Sequence, residues 1–268
     1  MLHNHAEDLF STTFLPSHDH THHRRVWNIC KALMIEIATF NPLLDQSLVE
    51  GVLIAVYFHD LGMVHSTREE HGILGREICK AYFKKHAIKP PSRFGEILEA
   101  IEEHDNKEER ICAVIQPAES PDILDILSVA DDLEALGIIG IYRYIEIYLK
   151  RNITLSNLGT RILGNVRARF KNITNSCINC SRLISEYRLQ YSILVSFFDS
   201  YNQQLLTEPH PEKVFHGHLG IVNYIRSLSI EGHIRPDDFI SEPGVNKAGT
   251  IVTSYFTALN NELVKARF

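Results

Sequence analysis

The dipeptide His59-Asp60 closes an apolar run from Gly51 to Phe58, and Leu61-Gly62 follows it. An imidazole and a carboxylate buried side by side need partners, because an isolated buried charge is strongly disfavoured. Two physical solutions exist. The pair salt-bridges to itself, or both groups hold one divalent cation. Adjacent residues on a helix point about 100° apart, so they form no flat chelate. Near a helix end they can still approach one ion from two sides. Two further His-Asp dipeptides, His18-Asp19 and His104-Asp105, lack such an apolar setting.

Other donors must then come from elsewhere in the chain. His22 opens a helical pattern and precedes Arg25-Val26. His71 starts the segment His71-Gly72-Ile73-Leu74-Gly75, and His104 closes one that contains Ala100-Ile101. Asp131 lies in Ala130-Asp131-Asp132-Leu133-Glu134-Ala135, inside an apolar helical pattern. Each of these alone is ordinary as a cap or a structural residue. As a set they place a donor at a helix terminus or in a buried helix each time. Mixed imidazole and carboxylate donors suit manganese, iron, zinc, cobalt or nickel, with magnesium also open.

Helical periodicity dominates the elements that must carry these residues. Val26, Ile29, Cys30, Leu33, Met34 and Ile37 recur at three- and four-residue steps, and the helix must end before Pro42. Asp45 reads as the cap of a second, almost wholly apolar helix from about Ser47 to Asp60. Further helices are expected from about Gly72 to His86 and from Ser92 to Glu103. Ser120-Pro121 reads as the start of the next, with Gly137 closing it, and one more covers about Ile139 to Lys150. Arg167 to Asn175 is polar and basic, and a long helical pattern runs from Ser181 to Leu206. Pro209-His210-Pro211 interrupts it before helices from Glu212 to Leu228 and from about Lys247 to Lys265. Strand signals are weak throughout. The expectation is an all-α fold, with a helical bundle over residues 1–151 and additional helices over 152–268.

Composition narrows the function classes. Net charge is −6 without a basic stripe, which argues against bulk nucleic acid as partner. A small phosphorylated substrate stays compatible, because a bound cation supplies local charge of its own. The start, Met-Leu-His-Asn-His-Ala-Glu-Asp, has no basic and apolar leader pattern. The apolar stretches around Leu48 to Phe58 and Leu136 to Tyr144 read as too short for a bilayer, so no membrane is expected. Cysteines at 30, 79, 112, 177 and 180 are scattered, and the lone Cys177-x-x-Cys180 lacks the second pair of a structural zinc site. A reduced cytoplasmic setting fits. Six of fifteen histidines fall before residue 24, namely His3, His5, His18, His20, His22 and His23, and most are expected to be solvated. His18 and His20 could crowd the mouth of a metal site. His216-Gly217-His218 reads as a loop or helix start.

The segments "HHRRV", "FHDLG", "HGILGREI", "IEEH" and "ADDLEALGIIGIYR" resemble, in order, the blocks of the HD superfamily of metal-dependent phosphohydrolases. The last resembles the "ADRLDAxGAxGIAR" block of small bacterial members. The resemblance covers about residues 18 to 150. It implies metal ligands at His22, His59, Asp60 and Asp131, with Asp131 rather than Asp132 matching the motif. His71 and His104 match the added ligands of two-metal members, and the alternative is that they bind substrate phosphate. The implied chemistry is in-line attack of a metal-bound hydroxide on a phosphate mono- or diester, a nucleotide above all. Asp60, His71 and His104 are then the catalytic candidates, with one or two divalent ions as cofactor. Arg143 resembles the arginine of the "GIAR" block and is a candidate phosphate contact. Lys107 is a second candidate. After His104 stands Asp105-Asn106-Lys107, not the pattern of the cyclic di-GMP enzymes, so that substrate is not expected. Two other readings stay open: a di-iron oxygenase built on the same ligands, and a non-catalytic metal-binding signalling module. Self-association is a further open expectation.

Overall fold

The computed structural model describes residues 1–68, 70–106, 115 and 121–265. Among them are helices, turns and loops, and no strand. The chain forms two compact units. The first comprises Met1–Glu134 and Arg169–Glu186, and the second Ala135–Ala168 and Tyr187–Phe268.

The first unit begins with α1, Leu2–Phe10, which buries Ala6 and Phe10. Helix α2 runs over His20–Ile37, and its cap Asp19 accepts a hydrogen bond from the Thr21 backbone N–H. Helix α3, Gln46–Phe58, is capped in the same way by Asp45, which accepts from the Leu48 N–H. A 3-10 turn over Leu61–Val64 follows it. Helix α4 covers His71–Lys85, α5 covers Phe94–Glu103 and α6 covers Ile123–Glu134. The apolar stripe Val26, Ile29, Cys30, Leu33 and Ile37 of α2 is buried, and α2 packs on α6. Helix α3 packs against α5 and α6, and α4 against α5. The fold therefore gathers the C-terminal ends of α3 and α5 near the start of α4.

Close approach there depends on glycine. A Cβ at Gly62 would lie 1.9 Å from the His71 carbonyl oxygen, and one at Gly72 would lie 2.3 Å from that of Glu102. No side chain fits at either position.

The second unit starts with α7, Gly137–Lys150, and Gly137 adopts a φ of +71° that other residues rarely take. Helices α8, Leu155–Ser176, and α9, Ser181–Thr207, each contribute to both units. Helix α10, Gly217–Ile225, runs into a π-helical turn over Arg226–Glu231. Short α11, Pro243–Lys247, and α12, Thr250–Lys265, complete the described chain. Within this unit Glu146 is fully buried and accepts hydrogen bonds from the Tyr142 hydroxyl at 2.8 Å and the Ser229 hydroxyl at 2.6 Å.

Several sequence expectations need correction. Helix α6 begins at Ile123, where the Asp122 carboxylate accepts from the Leu124 N–H, and not at Pro121; Ser120 lies outside the described residues. Gly137 opens α7 and does not close α6. The polar stretch from Arg167 to Asn175 is part of a 22-residue helix that carries its apolar residues sparsely. The single helix expected over Glu212 to Leu228 is broken into a 3-10 turn at Pro211–Lys213, then α10, then the π-turn. The first apolar stretch is also longer than it reads. Gln46–Val64 is long and apolar enough to cross a bilayer by length and composition, yet 72% of it is buried within the fold. That burial is what a core helix requires. Finally, the early histidines are not a solvated tail. His18, His22 and His23 are buried, the ring of His3 meets Tyr57 edge-on, and that of His5 packs at a tilt against Tyr82.

Candidate metal centre

Six donors converge in the first unit, and all are buried: His22, His59, Asp60, His71, His104 and Asp131. Each comes from a helix end or a buried helix face. His22 sits in the first turn of α2, and His59 caps the C-terminus of α3 with Asp60 just beyond it. His71 is the first residue of α4, His104 caps the end of α5, and Asp131 lies on α6.

The distances organise them around Asp60. Its Oδ2 lies 3.3 Å from His22 Nε2 and 3.4 Å from His59 Nε2. Its Oδ1 lies 3.2 Å from His104 Nε2 and 3.5 Å from His71 Nε2. His22 Nε2 is 3.2 Å from His59 Nε2 and 3.5 Å from Asp131 Oδ1. His71 Nε2 is 3.2 Å from His104 Nε2. Donors held about 2.0–2.2 Å from one ion, at tetrahedral or octahedral angles, stand about 2.8–3.6 Å from each other. The spacing here is that of coordination vertices. Two overlapping groups, His22–His59–Asp131 and His59–Asp60–His104, could each hold a metal ion.

Hydrogen bonding fixes which nitrogen faces inward. His59 Nδ1 is 2.7 Å from the Val56 carbonyl, His71 Nδ1 is 2.6 Å from that of Arg68, and His104 Nδ1 is 2.8 Å from that of Ile101. His22 Nδ1 is 3.1 Å from Glu134 Oε2. Carbonyls and carboxylates only accept, so each Nδ1 carries a proton, and each Nε2, once its ring is neutral, presents a lone pair to the centre. Lone pairs facing each other at 3.2 Å repel unless a proton or a cation lies between them. A divalent cation satisfies all of them together, and the donor set fits one.

Electrostatics agree with this arrangement. Burial pushes the His59 imidazole down to about 4, against the pull of Asp60. Burial alone would raise Asp60, but His59 and the hydrogen bonds from His104 and His22 outweigh it and hold the carboxyl well below its ordinary value. Burial likewise disfavours a charged His104, yet the hydrogen bond it donates to the Asp60 carboxylate prevails and raises it. Anionic Asp60 beside a neutral His59 is the state a cation needs, and a bound cation would displace the proton that Asp60 draws onto His104.

The choice between Asp131 and Asp132 has a visible cause. Asp132 turns to Arg169 of α8, 2.9 Å from its Nη1, and the same guanidinium reaches Asp105 at 3.1 Å. Arg169 thus ties together the residues that follow two of the donors. Of the remaining candidates, Arg143 is buried on α7 in the second unit, and Lys107 lies outside the described residues. His18 stands beside the centre, its ring centroid 5.6 Å from that of His22. Sequence reading gave no role to Glu134 or Arg169. The signal for Glu134 was present, an acidic residue inside the apolar run of α6. Arg169 had none, because its partners lie 37 and 64 positions away.

Residues 19–136 match the family model of the HD domain. No curated protein and no solved structure matches the chain.

Proposed function

We propose, on the premise that this chain carries an HD domain over residues 19–136, that it is a metal-dependent phosphohydrolase acting on a small phosphate mono- or diester, with nucleotides as the substrate class. One observation carries the reading. The two oxygens of Asp60 face two different donor sets, so one carboxylate can serve two ions.

His22, His59, Asp131 and Asp60 Oδ2 would hold one ion, and His71, His104 and Asp60 Oδ1 a second. Bound cations would polarise a phosphoryl oxygen and supply a water acidic enough to attack near neutral pH. The chain's own residues do the rest. The Nδ1 hydrogen bonds hold four imidazoles in one tautomer, so no reorganisation is needed when substrate arrives. Burial of all six donors keeps bulk water from competing for the phosphate. With a single ion held by His22, His59 and Asp131, His104 instead offers an N–H to the phosphate or its leaving oxygen, helped by Asp60. Arg143 and Lys107 are proposed as substrate contacts from the sequence pattern alone. The buried cysteines Cys30, Cys79, Cys177 and Cys180 form no disulfide, which is compatible with a reducing, cytoplasmic setting.

The test is phosphate release from nucleotides and model esters by metal-free protein reloaded with manganese. Activity is expected with wild type and not with folded His59→Ala or Asp60→Ala. Oxygen consumption after iron loading, without phosphate release, would replace this reading with a di-iron oxygenase.

A further inference from the structure

Four imidazoles face the centre, and three of them spend their Nδ1–H on a backbone carbonyl three residues earlier. The local reason is helix polarity. His59 and His104 cap helix C-termini, where the last carbonyls have no intrahelical partner. His71 reaches a carbonyl in the loop before α4. His22 has no such option. It lies in the first turn of α2, where unpaired N–H groups are exposed and free carbonyls are not. Its Nδ1 meets the Glu134 carboxylate, 112 positions away on α6. Glu134 is buried, and its other oxygen accepts from Arg25 Nε at 2.5 Å. Arg25 in turn donates to the Thr21 hydroxyl at 3.0 Å.

We propose that Glu134 is the positioning residue of the His22 half of the centre: its carboxylate selects the His22 tautomer, fixes the ring and strengthens the Nε2 donor. This rests on the reading that the centre holds a divalent cation. A carboxylate behind a ligating imidazole increases its basicity, whereas a neutral carbonyl does so less. The His22 half is therefore the tighter of the two, and it fills first. Arg25 balances the buried charge of Glu134 and aims the carboxylate, so Arg25 and Glu134 act as a unit on a ligand neither of them touches the metal to assist.

The experiment is titration of the metal-free full chain with Mn(II), comparing wild type with Glu134→Gln, His22→Ala and the pair combined. Glu134→Gln is expected to weaken the first Mn(II) about 10–100-fold and to leave the second nearly unchanged. Adding Glu134→Gln to His22→Ala is expected to cost nothing more, since the effect passes through His22. Nitrogen-15 shifts of the His22 ring give a readout independent of activity, with the Nδ1–H form dominant in wild type and diluted in Glu134→Gln. Unchanged first-ion affinity in Glu134→Gln overturns the proposal, as does an additive double variant. A Glu134→Gln chain that does not fold is replaced by Arg25→Met/Glu134→Gln, which removes the stranded cation. Weak first-ion binding there supports the proposal, and normal binding reduces Glu134 to an ion-pair partner of Arg25. Wild type that takes up no Mn(II) overturns the metal reading itself, a result distinct from either.

Discussion

Replacing Gly72 by alanine should separate the two halves of the centre without removing a single donor. The added methyl would sit 2.3 Å from the Glu102 carbonyl oxygen, where ordinary contact begins near 3.4 Å. Helices α4 and α5 must therefore part by about 1 Å, as packed interiors yield little. His71 Nε2 and His104 Nε2, now 3.2 Å apart, would open towards 4 Å, too wide for neighbouring vertices on one ion. Overpacking of this kind costs about 1–3 kcal/mol, and helix propensity returns at most about 1 kcal/mol. If the ion must restore the original spacing at that cost, the second site weakens about 5–150-fold. His22, His59 and Asp131 lie away from the clash and should keep their ion. Metal analysis after dialysis, with Mn(II) titration, is expected to give two ions for wild type and one for Gly72→Ala at matched free metal. Gly95→Ala is the control, because a Cβ there meets nothing within 4 Å. It should bind two ions and gain about 0.5–1 kcal/mol of stability. Two ions with unchanged affinities in Gly72→Ala would refute the argument that glycine spacing sets the second half.

Two more outcomes follow from the buried polar groups. The His59 pKa near 4 means that, in metal-free protein, the unfolded state binds more protons than the folded one between about pH 6.5 and 4. Its contribution is complete above 6.5 and disappears as pH falls through 4, at about 3 kcal/mol in total. His23 acts in the same direction and His104 in the opposite one, so metal-free protein should lose net stability from pH 7.5 to 5 in urea unfolding; a flat or rising profile contradicts this. In the second unit, Ser229→Ala removes a donor from the buried Glu146 carboxylate and should cost about 1.5–3 kcal/mol by the same assay. A loss under about 0.5 kcal/mol would show that the hydrogen bond does not matter.

The candidate donors could be named in the sequence because they sit where periodicity breaks, and the resemblance to the HD superfamily supplied their grouping into one ligand set. His59 and His104 end apolar helical patterns, His71 begins one, and Asp131 interrupts one. An ionisable residue in such a place must be satisfied, and that requirement shows in sequence. The partners that satisfy the second nitrogens do not, since Glu134 and His22 come together only through the packing of α2 on α6. The same holds for Arg169, which read as part of a polar stretch because its charge is neutralised by remote carboxylates. Helix α1 is less legible for another reason. His3 and His5 look hydrophilic in composition, but the His3 ring meets Tyr57 edge-on and the His5 ring packs at a tilt against Phe58 and Tyr82.

Residues 169–186 belong to the first unit although residues 135–168 of the second precede them in the chain. A ribosome therefore delivers most of the metal-bearing unit, then the first part of its neighbour, before the last piece of the first arrives. Arg169, the clamp on Asp105 and Asp132, is synthesised after all six donors. The contacts that Arg169 makes to Asp132 and Asp105 can form only after translation has passed residue 169.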